Sequence, residues 1–143
     1  TDGVLTLTFL PAQHWSKRGV SDGGERLWGA FMIQADGITV YNSGDTGYAS
    51  HFLELPELFP HIDYCMIGIG AYKPRWFMKP YDALTASRDM EARLTIPMHY
   101  GTFDLSDEPL FDPPHVFAQE ARLRSMPVLI PELGEIVKLH PRH

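Results

Sequence analysis

The sequence has 143 residues, 44% hydrophobic and 21% charged, which suits one globular domain large enough to bury a core. Its 18 acidic and 12 basic residues give a net charge of -6, which argues against a general nucleic-acid binder, because affinity for phosphate backbones comes from Lys and Arg. The single cysteine, Cys65, excludes an intrachain disulfide and a cysteine-built metal cage, and no apolar run approaches the ~20 residues of a membrane helix.

In chain order, Val4 to Leu10 alternates apolar residues with Thr and predicts a half-buried strand, ended by Pro11. A polar, glycine-containing loop follows from Gly19 to Glu25. Leu27 to Ala35 predicts a second strand, Asp36-Gly37 a hairpin turn, and Ile38 to Asn42 the return strand. His51 to Phe59 has an apolar face interrupted by Pro56, which predicts one short or kinked helix. Tyr64 to Ile69 is almost continuously apolar, as a strand covered on both faces would be, and places Cys65 in the core. Ala71 to Pro80 is a loop carrying Tyr72, Trp76, Phe77 and Met78. A helix is expected over Tyr81 to Arg93, a strand over Thr95 to Met98, and a loop from Gly101 to Pro114. A helix over Pro114 to Arg124 has Pro near its start, and short strands are expected at Val128 to Ile130 and Glu135 to Leu139. This order points to an α/β class.

Three strand-like runs end in a residue that can bind a metal. Thr6 onward leads to His14, Ile38 onward to Asp45, and Leu94 onward to His99. Imidazole nitrogen and carboxylate oxygen are the usual zinc donors when cysteine is absent. A carboxylate has two oxygens, so Asp45 can bridge two metals and is the candidate catalytic residue. No local spacing links the three, so only the fold can bring them together. Asp45-Thr46-Gly47 is also the signature triplet of aspartic proteases, in which two such loops share a proton; that reading gives the histidines no task.

Five blocks carry a resemblance. They are Pro11-Ala-Gln-His-Trp-Ser-Lys-Arg18, Leu27-Trp-Gly-Ala-Phe31, Ser43-Gly-Asp-Thr-Gly-Tyr48, Ile67-Gly-Ile-Gly-Ala-Tyr-Lys-Pro-Arg-Trp-Phe-Met-Lys79 and Ile96-Pro-Met-His-Tyr-Gly-Thr-Phe103. In this order they resemble the metallo-β-lactamase-fold hydrolases related to N-acyl-phosphatidylethanolamine-hydrolysing phospholipase D. The resemblance implies the four-layer αββα fold and two zinc ions, with His14 on one, His99 on the other and Asp45 bridging both. It further implies a phosphodiester substrate, small-molecule or lipid, attacked by a metal-bridging hydroxide, with a lactone or other ester hydrolase, or a non-catalytic half-domain that needs a partner segment, as the alternatives. Relatives carry His-x-His-x-Asp-His in an N-terminal half-domain that supplies most of the remaining ligands. That motif is absent from this sequence, which implies the C-terminal half of the fold, completed by a separate N-terminal segment or by self-association. Relatives also have a short His- and Pro-containing stretch where Pro80 here runs straight into Tyr81, and often Glu where this chain has Lys73. Tyr72, Trp76 and Phe77 are the candidate substrate contacts, expected beside the metal site and lining an acyl-chain pocket. A cytoplasmic location is expected, with membrane association if the substrate is a lipid.

Overall fold

The computed structural model describes residues 3–14, 28–71, 78–103 and 107–142. Five strands form one sheet in sequence order: β1 (Thr6–Leu10), β2 (Ala30–Ala35), β3 (Ile38–Asn42), β4 (Tyr64–Gly68) and β5 (Leu94–Met98). The hairpin signal at Asp36-Gly37 is realised as a two-residue turn, both residues having positive φ (50° and 76°), between the paired Ala35 and Ile38. β1 and β3 each pair antiparallel with β2, while β3, β4 and β5 pair in parallel. Hence β1, β3, β4 and β5 all run the same way, and their carboxyl ends share one edge of the sheet, where open α/β sheets bind ligands.

The period-two alternation sorts the side chains onto two faces. One face presents Leu10, Met32, Tyr41, Cys65 and Ile67 to a helical layer. That layer is a 3-10 turn (Ser50–Leu53), α1 (Leu55–Leu58), α2 (Pro80–Asp89) and α3 (Asp112–Leu123). Phe52, Leu55, Leu84, Met90 and Phe117 complete this core, and Met78 is buried in it. Burial pushes the Cys65 thiol up to about 12, so it stays protonated and inert. The opposite face carries a smaller cluster of Val40, Tyr64 and Ile96, overlaid by Leu129 and Leu139 of the C-terminal segment. Over β1 and β2 this face is open: Leu7, Phe9 and Phe31 are 57%, 56% and 43% exposed, and the two phenylalanine rings meet edge to face at 5.4 Å. The described residues therefore build one sheet and one helical layer of an α/β fold. None of their helices is long and apolar enough to cross a membrane.

Several elements differ from the sequence expectation. The segment expected as one kinked helix is two short pieces that meet at Glu54, with Pro56 in the first turn of α1. α2 ends at Asp89, and Glu91 takes a left-handed turn (φ 54°) that prevents continuation to Arg93. α3 starts earlier, at Asp112, because Pro113 and Pro114 occupy first-turn positions that need no N–H donor. The two expected C-terminal strands do not form. Val128 makes a single parallel bridge to Thr95, and Pro127 and Pro131 remove the donors that would extend it. Residues 135–139 have no strand partner. A tail clasp holds this segment instead. Arg142 Nε donates to Asp63 Oδ1 at 2.9 Å, the Thr39 N–H donates to Asp63 Oδ2 at 2.9 Å, and Arg93 donates to the His140 carbonyl at 2.9 Å.

Candidate metal centre

Each of the three predicted ligands follows the carboxyl end of a strand. Pro11 breaks β1, and the segment leading to His14 is then pinned to the turn after β3. The Gly47 N–H donates to the Gln13 carbonyl at 2.7 Å, and the Gln13 N–H donates to Thr46 Oγ1 at 2.9 Å. Trp28 Nε1 donates to the Ala12 carbonyl at 3.1 Å from the neighbouring β2 entry. The turn carrying Asp45 is fixed from below. Asn42 Oδ1 accepts from the Gly44 N–H at 3.0 Å, and the buried Ser43 accepts from the Gly68 N–H at 3.3 Å through Oγ. Gly44 needs both its left-handed φ of 53° and its missing Cβ, which would lie 2.8 Å from the Gly29 carbonyl oxygen. His99 follows β5 directly and is itself left-handed, with φ 62°. For a non-glycine residue that conformation costs on the order of 1 kcal/mol, and such strain gathers at functional sites.

The three side chains converge. His14 Nε2 lies 3.9 Å from Asp45 Oδ2, and His99 Nε2 lies 3.4 Å from Asp45 Oδ1. Each imidazole thus faces a different oxygen of one carboxylate. The histidine side chains are 17% and 25% exposed and that of Asp45 is 48% exposed, so the acid opens to solvent between two mostly buried rings. Metal–ligand bonds of about 2.0–2.2 Å at a tetrahedral angle separate two donors by about 3.4 Å. The His99–Asp45 pair matches that span and the His14–Asp45 pair is slightly wider. His14, Asp45 and His99 are therefore the residues that would hold a metal cofactor here. Among the described residues no group of three or more His, Cys, Asp or Glu side chains closes around a single ion.

Beside His99, Gly70, Ala71, Tyr100, Phe103 and Leu110 help to line a cavity of about 330 Å³. The start of the 71–78 loop therefore lies next to the site. Tyr72, Trp76 and Phe77, the expected substrate contacts, lie outside the described residues. Met78, from the same apolar cluster, packs into the core instead of toward the cavity. The polar contacts of Asn42 and Ser43 escape a sequence reading that looks only for ligands; their positions immediately before Gly44-Asp45 are the available signal.

A model of the beta-lactamase superfamily domain matches residues 1–100 of the chain. This chain is a member of that superfamily, a metallo-β-lactamase-fold hydrolase. The match covers all three converging residues. The superfamily member is 37% identical over 108 residues to N-acyl-phosphatidylethanolamine-hydrolyzing phospholipase D 1 of Caenorhabditis elegans, a match over 71% of this chain and 30% of that enzyme. It is 33% identical over 141 residues to a metal-dependent hydrolase of Pelotomaculum thermopropionicum, covering 96% of this chain and 58% of that protein. Its fold superposes on a metallo hydrolase of the archaeon Ignicoccus hospitalis with a TM-score of 0.75 at 26% identity, covering 96% of this chain and 54% of that one. The chain thus spans between about a third and three fifths of these relatives. Membership of a metal-dependent hydrolase family implies a metal cofactor, and it sets aside the aspartic-protease reading of Asp45-Thr46-Gly47. Here that acid faces two histidines, and the Thr46 hydroxyl is taken up by its own loop, donating to the Gly47 carbonyl at 2.9 Å.

Proposed function

We propose that this chain provides the C-terminal half of a dinuclear zinc centre that hydrolyses a phosphodiester, in the manner of the phospholipase D relatives. One observation carries the reading: the two oxygens of Asp45 face two different imidazoles, His14 and His99. Bound metals would lower the pKa of a water molecule and neutralise charge developing on phosphoryl oxygens. Asp45 would then hold both ions in fixed register, and each histidine would orient one of them. The identity to the nematode phospholipase D supports a phosphodiester, phospholipid-like substrate. Metal analysis of the purified chain and rates on a chromogenic phosphodiester, an N-acyl-phosphatidylethanolamine and a simple lactone test the proposal together. Faster cleavage of the phosphodiesters supports it; preference for the lactone replaces phosphodiester by ester chemistry. Absence of bound metal even at saturating zinc removes the centre.

The half-domain reading is favoured by the open apolar face over β1 and β2. A patch of that kind marks a surface that another element covers. Among the described residues each metal would find two protein donors, Asp45 and one histidine, whereas catalytic zinc usually has three plus water. A separate segment bringing a second sheet and further ligands would meet both needs, so the chain alone is expected to bind zinc weakly and turn over little. Zinc titration with and without such a segment distinguishes this from a self-sufficient enzyme.

A further inference from the structure

His99 holds an unfavourable backbone conformation, and the structure shows what makes room for it. The last rung between β4 and β5 is the Ile69 N–H donating to the Met98 carbonyl at 3.0 Å. Immediately beyond it the chain at His99 turns across Gly70. A Cβ built on Gly70 would lie 2.1 Å from the His99 carbonyl oxygen, 3.2 Å from its carbonyl carbon and 3.3 Å from Tyr100 Cα. All three are backbone atoms, so no side chain can swing aside to relieve the overlap. Gly70 is not among the glycines with positive φ, so space and not its own backbone conformation demands glycine. Gly68, two residues earlier, is different. Its added Cβ would touch His99 Cβ at 3.6 Å and the Gly44 carbonyl at 4.0 Å, which are ordinary contacts.

We propose that Gly70 is a positioning residue for His99: the space of its missing side chain admits the His99 carbonyl, and this holds His99 in the left-handed conformation that aims Nε2 at Asp45. The inference rests on the proposed metal centre for its functional meaning. Any side chain at position 70 moves the His99 backbone and widens the 3.4 Å approach to Asp45 Oδ1. Position 68 tolerates alanine with His99 in place.

The test compares the 143-residue wild type with Gly70→Ala, Gly68→Ala, His99→Ala and the Gly70→Ala/His99→Ala double variant. Zinc affinity is read by titration calorimetry, and the His99 13Cα and 13Cβ chemical shifts report its backbone conformation without metal. Gly70→Ala is expected to weaken zinc binding at least about tenfold and to move the His99 shifts, whereas Gly68→Ala does neither. In the His99→Ala background Gly70→Ala adds less than about twofold, because the two changes act through one side chain. Unmoved His99 shifts in Gly70→Ala, unchanged affinity, or a loss that persists without His99 overturns the proposal. If Gly70→Ala does not fold, the same change is made with His99→Gly, which relieves the left-handed strain and lets the strand end move. Recovered folding supports the contact, and continued unfolding overturns it. A wild type that binds no zinc, with the His99 shifts still displaced by Gly70→Ala, sinks the metal centre and leaves the positioning role standing.

Discussion

Asp45 faces both histidines, so its removal has a different signature from theirs. Asp45→Ala is expected to weaken both metals by at least about a hundredfold, since loss of even an outer-shell partner costs 10–100-fold. His14→Ala and His99→Ala should each weaken one metal and leave the other, which stoichiometry by calorimetry or elemental analysis will separate. The convergence of these three residues was legible from the sequence because donor chemistry recurs after strand-like runs. Gly70 was not legible, because the space it provides is defined by His99 on another strand, far along the chain. His51 was equally hidden. Its Nε2 is buried with no hydrogen bond, and burial holds its pKa below the ordinary 6.5. Above the unfolded value both states are neutral, and the group has no effect on stability. As pH falls from about 6.5 through the lower folded value, the unfolded chain binds the proton first, and stability is lost. The wild type should therefore lose more stability than His51→Gln between neutral and mildly acidic pH, measured by urea unfolding. Equal losses would show that His51 protonates as easily in the folded state.

At the scale of elements, the strands were legible where alternation or a continuous apolar run coincided with a clear turn signal. β3 matches its expected bounds, and the Asp36-Gly37 turn sets its register with β2. The C-terminal segment misled because Val128, Leu129 and Ile130 have strand-like side chains while Pro127 and Pro131 deny the backbone a ladder. What holds that segment is a long-range ion cluster that no local pattern announces. Buried Asp63 accepts from Arg142 and from the Thr39 N–H, with Arg93 Nε 3.6 Å away. Asp63→Ala leaves the Thr39 donor and two guanidinium groups without this acceptor, and should cost about 1–3 kcal/mol. Arg142→Ala removes only a half-exposed partner and should cost about 1 kcal/mol or less. Urea midpoints of the two variants check the ranking, and an equal or reversed order would mean that the clasp does not centre on Asp63.

For the whole molecule, the sheet has one covered face and one face bare at β1 and β2. The α/β layering was legible from the order of the elements, and the resemblance supplied the further expectation of a missing half. The bare face gives that expectation a physical test. The isolated chain should self-associate at micromolar concentration. Leu7→Lys and Phe9→Lys should reduce that association without loss of secondary structure, because both side chains point away from the helix-packed core. Sedimentation velocity across a concentration series will show it; association that survives both substitutions places the contact elsewhere.

The two edges of the sheet are unequally protected. At β5, Thr95 exchanges backbone hydrogen bonds with Pro127 and Leu129, so a neighbouring segment partly caps that edge. β1 ends the sheet on the other side, and among the described residues its outer edge has no strand beside it. The stretch Val4-Leu-Thr-Leu-Thr-Phe-Leu10 is uncharged, free of proline and rich in strand-favouring types. An open edge of that composition is a template for cross-β stacking, the geometry of amyloid. The same strand that leads to the first ligand is therefore the seed most suited to fibrils. Thioflavin-positive aggregates should form on prolonged incubation, and a lysine in place of Thr6 should delay them while leaving His14, Asp45 and His99 untouched.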